Sequence, residues 1–235
     1  MSPAPPVEPA LLLVAHGTRD PAGAVVTEQV AAAARARLGV RVAVGFADVR
    51  RPTPADAVAE LGGGPCVAVP MFLAAGYHVR SDVPAQLAAF DDVLVAETFG
   101  PDPALVAAAA ERLAEAGARP GDAVVMAVAG SSDPRARADS ARAARRLGRL
   151  LGGPVTLATV AIGGPRVVDA VAALRRDGAE RVAVASWLLA PGLFQRRLDE
   201  CGADAVAGPL ADHPAVVELV GERYRAALSG ARRTA

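Results

Sequence analysis

Apolar residues along this chain fall into short continuous runs separated by longer stretches in which they recur at helical spacing. The runs LLLVAH (11–16), VRVAVGF (40–46), CVAVPMFL (66–73) and VLVA (93–96) read as strands. Between them, 25–38 is an Ala-rich helix stopped by Gly39, 54–61 a helix ending at Gly62-Gly63-Gly64, 83–90 a helix, and 102–116 a closing helix. The order then repeats, with strands near 123–128, 155–161, 181–188 and 204–207. Strands that are apolar throughout and alternate with helices predict parallel sheets covered on both faces.

The second half is a copy of the first. An offset of 113 carries Gly17 onto Gly130, Asp20 onto Asp133, Pro21 onto Pro134 and Pro52 onto Pro165; 115 carries Phe72-Leu73 onto Trp187-Leu188. The fold class is therefore α/β. Two similar tandem lobes, each a parallel four-stranded sheet with helices on both faces, face a cleft between them. The lobes span 10–117 and 122–229, joined by a linker at 118–121 and preceded by a disordered, Pro-rich lead-in at 1–9.

Composition narrows the function. With 25 basic and 25 acidic residues and no net charge, nothing favours nucleic acid or an anionic membrane. No apolar run is long enough for a bilayer, and MSPAPPVEPA lacks the basic start and apolar core of a signal peptide. Two distant cysteines, Cys66 and Cys201, suit a reducing cytoplasm rather than a disulfide framework. Cys66 reads as a buried, inert strand residue.

The copies differ where chemistry would sit. His16 ends the first strand, Asp48 follows the second, and His78 follows the third; a parallel sheet brings all three to one edge, where ligands bind in such folds. Two imidazoles and a carboxylate there suit a divalent metal with open positions, or proton transfer near neutral pH. A strand-end His or Asp often serves only to cap or hydrogen-bond. The duplication argues otherwise, since His16 becomes Ala129, Asp48 becomes Ala161, and His78 becomes Leu193 or Phe194. Arg19, Arg50, Arg51 and Arg80 flank the three. Singly they read as solvated loop residues; together they suit a substrate with several carboxylates. His213 reads as a helix cap and Trp187 as core or cleft lining. Ser131-Ser132 has no histidine nearby in sequence to make it a nucleophile. HGTRD has neither P-loop nor dinucleotide-site spacing.

LLLVAHGTRD, FADVRRPTPADAV and VAVPMFLAAGYHVRSDVP, in that order, resemble the class II tetrapyrrole chelatases, the sirohydrochlorin chelatases of the CbiX and SirB type. The resemblance covers the whole chain, because longer members carry two tandem domains. It implies that His16 and His78 are the metal-binding and catalytic histidines. Asp48 stands where a glutamate is usual and is one methylene shorter; Asp82 would hold a structural or supporting place. It further implies a cytoplasmic lyase-class enzyme that inserts Fe2+ or Co2+ into sirohydrochlorin, for siroheme or cobalamin synthesis. The metal would be substrate, with no permanently bound cofactor, and the four arginines would bind the macrocycle. The duplication makes a monomer sufficient. The alternatives are a metal or tetrapyrrole carrier without turnover and a chelatase for another tetrapyrrole.

Overall fold

The computed structural model describes residues 8–234. Of the expected lead-in, residues 1–7 lie outside the described residues; Pro9 is tied down, its carbonyl accepting the Tyr224 hydroxyl at 2.5 Å. The elements run β1 (Ala10–Ala15), α1 (Pro21–Leu38), β2 (Val42–Phe46), α2 (Pro54–Glu60), β3 (Cys66–Pro70), a π-helical turn (His78–Asp82) continuing into α3 (Val83–Leu87), β4 (Val93–Val95) and α4 (Pro103–Glu115). The second series is β5 (Ala123–Gly130), α5 (Pro134–Leu151), β6 (Val155–Ile162), α6 (Val167–Arg176), β7 (Val182–Trp187), α7 (Leu193–Asp199), β8 (Ala205–Val206) and α8 (Pro214–Thr234). Two four-stranded parallel sheets result, ordered β2-β1-β3-β4 and β6-β5-β7-β8.

The copies are alike in detail. Helices α1 and α5 each have 18 residues; each starts with an Asp cap followed by Pro and ends on a left-handed glycine, Gly39 or Gly152. Helix α1 begins at Pro21, four residues earlier than the apolar pattern suggested, because Asp20 accepts the Ala22 N–H at 3.0 Å and Pro21 is already set at a helical φ. The third strand stops at Pro70 rather than at 73, where the chain turns with Phe72 N–H on the Pro70 carbonyl. The expected helix at 83–90 is entered through the π-helical turn and is shorter, ending at Leu87. A bulge between Val128 and Gly130 puts Ile162, rather than Ala161, opposite Gly130, where the first copy has Asp48 opposite Gly17.

Alternating strand residues feed different cores. The outer face of the first sheet, with Leu12, Val14, Cys66 and Ala68, is covered by α2 and α3. The outer face of the second, with Val125, Ala127, Val182 and Val184, is covered by α6 and α7. The inner faces share one continuous core, from Leu11, Leu13 and Val69 through Leu105 and Leu219 to Met126, Ala185 and Trp187. The covering helices are exchanged: α4 packs on β7 and α5, whereas α8 packs on β3, β4 and α1. The boundary at 118–121 thus follows the repeat in the chain but not the packing, since each half lends its last helix to the other half's sheet.

Candidate metal centre

The site starts from the register of the first sheet. Ala15 pairs with Phe46, the Asp48 N–H reaches the His16 carbonyl at 2.9 Å, and the Met71 N–H reaches the Val14 carbonyl at 2.8 Å. The three chain exits therefore leave side by side. Gly17 turns the chain directly after His16 with φ of +96°; a Cβ there would lie 2.2 Å from the Asp48 carbonyl oxygen. Only glycine permits that crossing, and it brings the first and second exits together.

His16, Asp48 and His78 converge, with one potential ligand atom from each lying within 4.8 Å of the others. The two imidazole rings stand edge to face, 4.6 Å apart between centroids. Phe72 stacks beside His78 at 6.1 Å, and Tyr77, 67% exposed, stands edge-on to it. His78 occupies the first position of the π-helical turn, an irregularity often found at functional sites. Its Nδ1 lies 2.7 Å from the Asp82 carboxylate, which fixes the ring and leaves Nε2 for the site. Gln86 clamps this arrangement, its amide nitrogen donating to Asp82 Oδ1 at 2.9 Å and to the Ala47 carbonyl at 3.0 Å. One side chain thus links the support of His78 to the residue before Asp48.

Electrostatics keep the cluster ready for a cation. Desolvation by its neighbours and the nearby His78 lower the His16 pKa below the ordinary histidine value, with Asp48 pulling it partly back. His16 is therefore neutral at pH 7, with a lone pair available. Burial works against the Asp82 charge, but hydrogen bonds from Gln86 and His78 hold its pKa below the usual carboxylate range. The backbone after Asp48 is unusual: Val49 has φ of +67°, and its N–H donates to Asp48 Oδ1 at 2.7 Å. A β-branched residue there is strained, which marks the turn as constrained by its surroundings.

The four arginines divide. Arg19 and Arg80 are exposed, with no side-chain partner among the described residues. Arg50 donates to the Thr18 carbonyl at 3.3 Å and lies over Phe46, 5.7 Å from the ring centre. Arg51 is held by Asp56 at 2.8 Å, at the start of α2. Away from the site, His213 Nδ1 accepts the Ala215 N–H at 3.2 Å and so caps α8. Both cysteines are buried, and burial pushes the Cys66 thiol up to about 11.

Gln86 and Asp139 escaped the sequence reading. Asp139, buried in α5 of the second copy, accepts the Ala75 N–H at 2.9 Å on the loop leading to His78. Its signal was present: at an offset of 113 the first copy has Val26.

Comparison with known proteins agrees with this architecture. The chain is 39% identical over 77 residues to a sirohydrochlorin cobaltochelatase of Methanothermobacter thermautotrophicus, covering 32% of this chain and 54% of that protein. It is 40% identical over 83 residues to the protein of that name from Methanopyrus kandleri, covering 33% of this chain and 57% of the relative. It thus spans a little over half the length of these relatives. Among solved structures, SirB from Bacillus subtilis with Fe3+ superposes with a TM-score of 0.81 at 20% identity, over 95% of this chain and 96% of that one. CbiX, described as the terminal enzyme for biosynthesis of siroheme in denitrifying bacteria, gives 0.69 at 23% identity, over 93% and 98%. These likenesses establish the fold: two parallel α/β sheets of the chelatase type. The CbiX family model matches twice, over residues 10–116 and again over 123–227, and the chain belongs to that family.

Proposed function

We propose that this chain is a sirohydrochlorin chelatase, a lyase-class enzyme that inserts Fe2+ or Co2+ into the macrocycle for siroheme or cobalamin synthesis. The observation that carries the reading is the convergence of His16, Asp48 and His78 at one sheet edge. Three ligands with open positions suit a metal that must be handed on rather than kept. The Asp48 carboxylate and the two imidazoles hold the incoming cation. Insertion requires two pyrrole N–H protons to leave; an imidazole nitrogen not engaged by the metal takes up one at a time and gives it to water before the next. Asp82 stabilises the charge that forms on His78, and the Gln86 clamp preserves the ring's orientation.

Exposed apolar side chains stand at the strand carboxyl ends of both copies: Val49 and Tyr77 in the first, Ile162 and Leu193 in the second. They offer contact to a flat, apolar-faced ligand. Arg19 and Arg80 reach for its peripheral carboxylates, joined by Arg50; Arg51 takes part only by leaving Asp56. Among the described residues no helix is long and apolar enough to cross a membrane. A cytoplasmic monomer is the setting proposed.

Anaerobic absorbance spectroscopy of sirohydrochlorin with Fe2+ or Co2+ tests this directly. The expected result is a metal-dependent spectral change much faster with the intact protein than with His16→Ala, His78→Ala or no protein. Binding of the macrocycle without acceleration would replace the enzyme with a carrier, and absence of binding would overturn the substrate.

A further inference from the structure

The second copy lacks the histidines but carries a buried acid that the first copy lacks. Helices α1 and α5 align residue for residue. Both are 18 residues long, and Thr27 and Ser140, at the shared offset, each donate a buried hydroxyl to the carbonyl four residues back, Gly23 and Ala136. Within that register Val26 faces Asp139 in the comparison. Val26 is 9% exposed and Asp139 is 5% exposed, so both positions are interior.

The surroundings of the two positions are also related. Each half's loop after its third strand crosses to the other half's first helix. In one direction a Cβ on Gly23 would lie 3.1 Å from the Pro191 carbonyl; in the other a Cβ on Gly76 would lie 3.6 Å from Ala136. The first crossing carries only a rim pair, Arg196 of α7 on the Asp20 cap of α1; the second places an interior acid on the loop backbone itself. The Asp139 carboxylate takes the Ala75 N–H at 2.9 Å and pairs with Arg142 on its own helix. Ala75 lies three residues before His78. A charge-assisted hydrogen bond from an interior acid is worth more than a neutral one, and it fixes a loop that has no regular structure of its own.

Taking the proposed metal centre as given, we infer that Asp139 is a positioning residue: the histidine-free copy holds the 71–77 loop so that His78 meets His16 and Asp48. The same helix position carries valine where the reciprocal loop delivers no ligand. The pattern follows the demand for a placed side chain and not the demand of the fold.

The test compares the full-length protein with Asp139→Val and Asp139→Asn. Valine is what the matching site of the first copy tolerates, and Arg142, with a side chain 51% exposed, can be solvated once its partner is gone. Asparagine keeps an oxygen for the Ala75 N–H. In the metal-free protein, the proton shared by His78 and Asp82 is followed by NMR. In turnover, kcat and KM for sirohydrochlorin are measured per folded molecule. Asp139→Val is expected to shift or broaden the His78 proton and to lower kcat about tenfold or more with KM little changed. Asp139→Asn is expected to restore most of both. A lower melting temperature with wild-type kcat per folded molecule and an unchanged His78 proton would overturn the inference. If the intact protein inserts no metal, the proposed function falls, whereas the His78 proton still decides the role of Asp139.

Discussion

Two copies of one design lie side by side here, and they part company most sharply at the carboxyl ends of the strands. Strand order, the 18-residue length of the first helix, its Asp–Pro start and the left-handed glycines after β1 and within the end of β5 are kept. Where the first copy places His16, Asp48 and His78, the second places Ala129, Ile162 and the apolar start of α7 at Leu193 and Phe194. What both halves retain serves folding; the polar groups that one half alone sets at the strand ends serve placement or chemistry. The criterion also cuts the other way, since Asp139 is a polar residue only the second copy carries.

The comparison can be broken most forcefully at the histidines. His16→Ala or His78→Ala should each lower the rate of metal insertion by about 10²- to 10⁴-fold, while Ser131→Ala in the second copy leaves the rate intact. Steady-state absorbance assays on the four proteins decide it; equal losses from Ser131→Ala would mean the halves are not divided as described. Next in size is the pair Gly17→Ala and Gly130→Ala. An added Cβ would meet the opposing carbonyl oxygen at 2.2 Å and 2.1 Å respectively, with φ near +96° and +98°. Both should cost stability by about 1–3 kcal/mol or more, seen in denaturant melts, but only Gly17→Ala should also abolish insertion.

The glutamines sharpen the contrast further. Gln86 joins the Asp82 carboxylate to the Ala47 carbonyl at the site, whereas Gln195 is buried among Ser186, Asp199 and the Ala207 carbonyl in the second copy. Gln86→Leu should slow turnover about tenfold with a small change in melting temperature. Gln195→Leu should lower stability by about 1–3 kcal/mol with turnover per folded molecule unchanged. A gentler effect is expected from acid. His16 has its pKa below the ordinary value because the neutral ring is favoured, so the ligating form persists down through pH 6.5 and is lost only as pH falls through the lowered pKa. The His16 contribution to the acid limb of kcat/KM should accordingly lie below 6.5 and be absent from the residual activity of His16→Ala. The smallest contrast is between the cysteines. Burial raises both thiols, Cys66 to about 11, so neither should react with a thiol reagent at pH 8 until the protein unfolds.

Much of this is legible in the sequence. Parallel strands with both faces buried leave apolar runs, and the repeat offset fixed which residues to compare, so the sheets and the triad could be read directly. Apolar spacing alone starts α1 late, because the Asp20–Pro21 cap adds a first turn that carries no apolar stripe. Gln86 and Asp139 were missed for a different reason: each acts through backbone groups, Ala47 and Ala75, distant in sequence. No local pattern announces such a bond. The partial engagement of the arginines was equally hidden, since Asp56 claims Arg51 through the geometry of the α2 start.

The exchange of α4 and α8 bears on how the chain is held together. Each sheet's inner face is sealed by a helix encoded in the other half, so neither half alone has a complete interior. A cut in the 118–121 linker would leave the two fragments held by these exchanged helices, whereas either fragment by itself would lack one of the helices that cover its sheet. Covalent continuity there is a convenience of synthesis, and the true seam of the molecule runs through the hydrophobic interior that its two halves build in common.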